Sequence, residues 1–234
     1  MQAPGAKILI WDETIGFLTG AVLTKVAPGA VVINVHPDRQ MQVSSLMYYN
    51  LPEERRRQLH SLPIAALQDR SCEEDAFIET PGADPERLAI QRQRYETRRA
   101  QKLYLRGLLD AAAFDTLLIA TQAGDAADII ARLAPHLRPS AVLVAYSTWR
   151  DLLLPTYMAL RRDPLWVDVS LHESFLRPYQ AAPGRFHPAM NCNGHAGTLL
   201  AATKVTISPS PPPKTQADQD GDRGGVQDHE GPVC

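Results

Sequence analysis

The sequence predicts an α/β fold with a mostly parallel sheet ending in an antiparallel hairpin, on three observations. Two short apolar runs, 6–11 (AKILIW) and 30–35 (AVVINV), flank a helix-length segment, 16–27, that stops at Pro28-Gly29. The same alternation returns between residues 115 and 163. Two last strand-like runs, 166–174 and 197–208, have no helical pattern between them. Alternating strand and helix periods with β-branched runs mark βαβ units. A return from strand to strand without a helix favours an antiparallel pair at a sheet edge.

Each later element has a local cause. "DTLLIAT" (115–121) and "SAVLVAYS" (140–147) are apolar, β-branched runs of strand length. "DAADIIARLAPHL" (125–137) and "WRDLLLPTYMALRRD" (149–163) carry helical periodicity. Asp125 is placed to cap the first of these by accepting a free backbone N–H. Pro139 and Pro164 are expected to stop what precedes them, because a proline ring disfavours the helical conformation in the residue before it. Residues 86–107 read as a long helix. Residues 37–85 have weak periodicity and many polar side chains, and read as an insertion or linker in place of a third βα unit. Residues 208–234, rich in Pro, Gly and Asp, cannot bury enough apolar surface to offset ordering entropy and read as a disordered tail. The chain thus divides into a first βαβ unit (1–36), the insertion (37–85), the remainder of the same domain (86–207) and the tail. This is the layout of the Rossmann-like methyltransferase fold, although fold by itself assigns no chemistry.

The bulk numbers exclude several classes. With 234 residues and 44% apolar content the chain can bury a core. Cys72, Cys192 and Cys234 form no CxxC pair and have no zinc-type His spacing, so neither a disulfide scaffold nor a metal site is expected, and a reducing compartment fits. Asp12 and Glu13 interrupt the first apolar run, no stretch reaches membrane-span length, and Cys234 stands too late for prenylation.

The turn "DETIGFLTG" lies where many α/β enzymes keep a glycine-rich nucleotide loop. Such a loop needs glycine for close backbone approach and positive φ. Gly16 and Gly20 are present, but Ile15, Phe17 and Leu18 surround them and are expected to fill the ligand space. A ribose-binding acid is expected at the end of the second strand. Val35-His36-Pro37 stands there, with Asp38 too late. At the end of the run 115–121, "LLIATQAG" offers Ala120, Thr121 and Gln122 and no carboxylate before Asp125. Three places that catalysis would use are therefore unsuited to it.

Two segments carry interaction chemistry instead. In residues 86–107, Arg87, Arg92, Arg94, Arg98, Arg99, Lys102 and Arg106 face only Glu86 and Glu96, a balance of +5. That is either a solvated helix face or a phosphate-tracking surface. "ESFLRPYQAAPGRFHPAMNCNGHAG" (173–197) gathers Arg177, Tyr179, Arg185, His187 and His195 in one loop. Arginine forks suit phosphate and aromatic or imidazole rings suit stacking on unpaired bases.

The loop, with its following strand, resembles the closing motif of the non-catalytic subunit of eukaryotic tRNA (adenine-58-N1)-methyltransferase. Glu173, Arg177, Tyr179, Gln180, Pro183, Arg185, His187 and Pro188 match it, while Phe175, Ala181 and Ala182 depart from it. Weaker similarity covers "KILIWDETIGFLTGAVL" and "LLIATQAGDAADIIARLAPHLRPSAVLVAYSTWRDLL", so the resemblance extends over most of residues 7–205. It implies a chain that binds no S-adenosylmethionine and pairs with a homologous catalytic subunit that does. It implies a nuclear heterotetramer that methylates N1 of an adenine in the tRNA T-loop. On this reading Arg177, Tyr179, Arg185 and His187 are the candidates for RNA-binding or composite-site roles, and Arg98, Arg99 and Lys102 for attracting phosphate. No metal and no membrane is expected. The family carries an N-terminal β-barrel domain, so this chain is read as a piece of a longer one or as a lineage without that domain. Two alternatives stand beside this reading: a methyltransferase active in its own right through Gly16 and Gly20, and a Rossmann-like scaffold unconnected to RNA.

Overall fold

The computed structural model describes residues 5–38, 40–67, 77 and 84–207. Strands β1 (Lys7–Asp12), β2 (Val31–His36), β3 (Leu59–Pro63), β4 (Phe114–Thr121), β5 (Leu137–Ser147), β6 (Trp166–Phe175) and β9 (His195–Lys204) form one seven-stranded sheet. Its order is β3-β2-β1-β4-β5-β9-β6. The first five are parallel neighbours, and β9 runs antiparallel to both β5 and β6. The expected edge pair is therefore present. The loop between its strands holds a separate hairpin, β7 (Tyr179–Ala182) and β8 (Arg185–Pro188).

Period-two alternation divides the core between the two sheet faces. Leu9, Trp11, Ile33, Val35, Leu117, Ile119, Leu143 and Leu200 face α4 (Ala126–Leu133), α5 (Arg150–Leu160) and the end of α3 (Pro85–Asp110). Ile8, Ile10 and Val32 face α1 (Phe17–Lys25) and Leu51. Fully burying each such side chain contributes about 1.5–3 kcal/mol, so the two clusters hold the strand ends rigidly.

The stretch read as an insertion carries a strand. β3 pairs in parallel with β2, from Val32 opposite Leu59 to His36 opposite Pro63. Its sequence, LHSLP, buries only Leu62 and lacks β-branched residues, as suits a short edge strand ending at a proline. A one-turn helix, α2 (Glu53–Arg56), precedes it. Asp125 caps α4 as expected, its carboxylate accepting the Ala127 N–H at 2.9 Å. The helix ends at Leu133, followed by a 3-10 turn over Ala134–His136, rather than running to 137. Pro139 does not stop it but lies inside β5, where pairing with β4 jumps from Leu137 to Val142 and Ser140 takes φ 66°. Such an irregularity tolerates a residue without an N–H. The tail 208–234, with Cys234, and Cys72 lie outside the described residues.

Candidate functional site

The sheet's connections reverse direction between β1 and β4, and open α/β sheets place ligand crevices at the carboxyl ends of the strands there. Two carboxylates occupy that point. Asp12 Oδ1 accepts from the Thr14 N–H at 2.8 Å and from the Thr14 hydroxyl. Its Oδ2 accepts from the Thr19 N–H at 2.8 Å and the Thr19 hydroxyl at 2.7 Å. The acid thus binds the start of α1 to the end of β1, where a helix N-terminus favours negative charge.

Glu13 crosses to β4. Its Oε2 accepts the backbone N–H groups of Gln122, Ala123 and Gly124 at 2.8, 3.0 and 3.2 Å, and the Thr121 hydroxyl at 3.2 Å. Oε1 accepts Trp11 Nε1–H at 2.9 Å. Burial alone would raise this carboxyl, but the donors from Ala123, Trp11, Gln122 and Gly124 outweigh it and hold it below its ordinary value. A side chain at Gly124 would collide with Oε1. The end of β4 therefore does hold a carboxylate, delivered from just after β1 and consumed by a nest of backbone donors. The residues of "LLIATQAG" give no sign of it, because the acid comes from the residue that follows β1.

The turn between β1 and α1 is sealed by residues 43–49. Ile15 and Gly16 take φ 50° and 102°, a left-handed pair that is strained at the β-branched residue. The Ile15 carbonyl is held by the Ser45 N–H at 3.0 Å. A Cβ on Gly16 would come within 2.9 Å of Val43 Cα, and one on Gly20 would run into the Tyr49 ring. The Tyr49 hydroxyl donates to the Phe17 carbonyl at 2.8 Å. Both glycines are thus used for packing. The expectation that Ile15, Phe17 and Leu18 fill the space is corrected: Ile15 and Phe17 are 50% and 48% exposed, Leu18 is half-buried, and Val43, Ser45 and Tyr49 cover the turn. Nothing in "VSSLMYY" beyond its aromatic pair signalled this.

At the end of β2, His36 is buried, with Nδ1 2.8 Å from the Asp38 carbonyl and Nε2 2.8 Å from Ser61 Oγ. Burial lowers its pKa more than the Asp38 carbonyl and charge raise it, which favours the neutral ring. Asp38 is exposed and contributes its backbone there, so the ribose-acid position is filled by an imidazole.

The predicted basic segment is α3, with Pro85 in its first turn, where a missing N–H costs nothing. Only Leu105 and Leu109 are buried, so the last turns anchor the helix and the rest lies on the surface. Arg98 and Lys102 are exposed and Arg99 is half-buried. Arg106 donates to the Leu67 carbonyl and pairs with Asp110 at 3.3 Å.

The hairpin splits the other predicted cluster by face. The register, Tyr179 opposite Pro188 and Gln180 opposite His187, puts Tyr179 and Phe186 on one face and Gln180, Arg185 and His187 on the other. The Tyr179 and Phe186 rings stack at 5.2 Å. Arg185 and His187 are exposed, and Arg177, just before β7, is half-buried. His195 stands apart at the start of β9, its Nε2 3.0 Å from the Thr148 carbonyl. Glu173 of β6 pairs with Arg150 at 3.0 Å. The hairpin leaves β6 at one edge of the sheet, while α3 passes β3 at the other edge. Among the described residues no group of three His, Cys, Asp or Glu is placed to hold a metal.

The architecture is that of the Rossmann-like methyltransferases. It superposes on an S-adenosylmethionine-dependent O-methyltransferase from Thermotoga maritima with TM-score 0.56 and 15% identity, over 88% of this chain and 62% of that one. It superposes on the tRNA (m1A58) methyltransferase TrmI from Aquifex aeolicus with TM-score 0.53 and 13% identity, over 86% and 63%. No family model matches the chain. The resemblance seen in the closing loop nevertheless holds over most of its length: the chain is similar to proteins named tRNA (adenine(58)-N(1))-methyltransferase non-catalytic subunit. That of Debaryomyces hansenii is 25% identical over 207 residues, covering 86% of this chain and 44% of the relative. That of Schizosaccharomyces pombe is 27% identical over 252 residues, covering 88% and 53%. The mouse protein is 30% identical over 154 residues, covering 61% and 31%. The chain thus spans about half the length of the first two relatives.

Proposed function

We propose that this chain is a non-catalytic, tRNA-binding subunit of a tRNA adenine-58 N1-methyltransferase, acting in the nucleus beside a homologous subunit that binds S-adenosylmethionine. The observation that carries the reading is the packing against the glycines of the turn after β1. Val43, Ser45 and Tyr49 pack on the turn that would cradle a nucleoside cofactor, and of the two neighbouring carboxylates Asp12 is bonded to Thr14 and Thr19 and Glu13 to the backbone after β4. These residues do not fit the cofactor, and no chemical step is assigned to the chain. The names of its relatives support the same role. In the assembled complex, Arg177, Arg185 and His187 would meet RNA or the partner near the composite site, and α3 would attract phosphate.

Two measurements test this. Co-expression with a candidate catalytic subunit should give tRNA methylation that is lost when this chain is omitted. Calorimetric titration of the isolated chain with S-adenosylmethionine should give no binding heat. Clear binding would overturn the reading in favour of an enzyme acting through Gly16 and Gly20.

A further inference from the structure

Arg94, Arg98, Lys102 and Arg106 recur at every fourth position of α3 and so form a row of neighbours that winds slowly round the helix, each about 6 Å along the axis from the last. Like charges at this spacing oppose helix formation, a penalty that a polyanion would relieve. The row ends at a groove of about 340 Å³ between α3 and residues 61–66. Leu62, Pro63, Ala65 and Leu105 give it an apolar lining, and Lys102 and Arg106 supply cations at its wall. The two cations differ in freedom. Arg106 is only 12% exposed and is tied to the Leu67 carbonyl and Asp110, which fixes its guanidinium plane. Lys102 is exposed and meets no acid among the described residues. A fixed planar cation, an apolar slot and a row of exposed cations are the parts that hold single-stranded nucleic acid: a face to stack on and charges that track the backbone.

We infer that this groove holds an unpaired nucleotide of an RNA strand, its base against Arg106 and its flanking phosphates on Lys102, Arg98 and Arg94. The inference rests on the RNA-binding reading above and adds to it a preference for single strands.

The test is fluorescence anisotropy of the full chain with a labelled single-stranded oligoadenylate and with duplex RNA of equal length, over a range of salt. The single strand should bind about tenfold more tightly than the duplex, within the span of one stacked base. Ala65→Leu, at an exposed position, should fill the slot and remove that preference while leaving the salt dependence unchanged. Lys102→Gln should reduce the slope of log affinity against log salt by about 0.7. In the wild-type chain, a 4-thiouridine-containing strand should crosslink to residues 61–66, a readout that needs no variant to fold. Equal affinity for both RNAs, or an Ala65→Leu variant that retains the preference, would overturn the groove alone. Absence of any RNA binding at low salt would remove the tRNA-binding reading as well.

Discussion

The Tyr49 ring lies against Gly20, and its hydroxyl is bonded to the Phe17 carbonyl one turn earlier in α1. A residue from a weakly patterned stretch thereby closes the turn that the fold reserves for a nucleotide, and the glycine persists because the ring needs the space. Gly20→Ala should therefore destabilise the protein by about 1–3 kcal/mol through overpacking, lowering the melting temperature by about 2–4 °C per kcal/mol for a domain of this size. Adding Tyr49→Ala should recover part of that loss. Thermal unfolding of the two variants checks the coupling, and simple additivity would contradict the contact.

Glu13 ties β1 to the turn after β4 through three backbone donors. Its folded-state carboxyl is held below the ordinary value, so the stabilisation is present above the unfolded glutamate pKa of about 4.3 and is lost as pH falls through the folded value. Glu13→Gln should cost about 1–2 kcal/mol at neutral pH, at the low end because the group is partly exposed. Below pH 4 the difference between variant and parent should shrink, as denaturant titrations at pH 7 and pH 3.5 would measure.

His36 has the opposite chemistry and the same direction. Burial lowers its pKa, so an unfolded chain takes up a proton near pH 6.5 that the folded ring refuses. Stability should be full above about pH 6.5 and decline as pH falls from there towards the folded value. His36→Asn should flatten that part of the stability profile between pH 7 and pH 5, and an unaltered slope there would assign the titration to another group.

The parallel strands, the capped helix α4 and the antiparallel return were legible because each is governed by a local rule: apolar runs of strand length, an Asp before a helical period, and the lack of a helix between β6 and β9. β3 was not, because an edge strand that buries only Leu62 has no pattern to read. The candidate site was half legible. That the glycine turn was unlike a cofactor loop could be read from Gly16 and Gly20, but what covers it could not, since Val43 and Tyr49 reach it over more than twenty residues of chain. The carboxylate at the end of β4 escaped for the same reason, Glu13 lying 109 residues from Gln122. The closing loop was legible as a motif, while its division into a ring face and an Arg185–His187 face follows from register, which residue types alone do not specify.

Charge on α3 gives the third kind of prediction, because binding through phosphates is read from salt rather than from affinity at one condition. Replacing Arg98, Arg99 and Lys102 together by Ala should weaken tRNA binding and reduce the slope of log affinity against log salt by about 2, at roughly 0.7–0.9 for each phosphate that is no longer neutralised. Filter binding between low and moderate salt measures it, and an unchanged slope removes the helix from the RNA surface.

Arg185 tests the hairpin independently of the helix. It is exposed on β8 beside His187 and opposite Ala182, on the face that lacks the Tyr179–Phe186 stack. Its replacement by Ala removes a planar five-donor cation without disturbing a core, so folding and the stacked face should survive. If the polar face meets RNA near the composite site, Arg185→Ala should lower methylation by the assembled complex about tenfold or more, the range expected on removing a charge-assisted hydrogen bond that contributes about 1.5–3 kcal/mol. Subunit association, followed by size exclusion, should be unaffected, and Arg185→Lys should recover only part of the activity because a point charge does not reproduce the fork. Undiminished turnover by Arg185→Ala would place the functional face of the hairpin elsewhere, and the natural next variant is Phe186→Ala on the ring side.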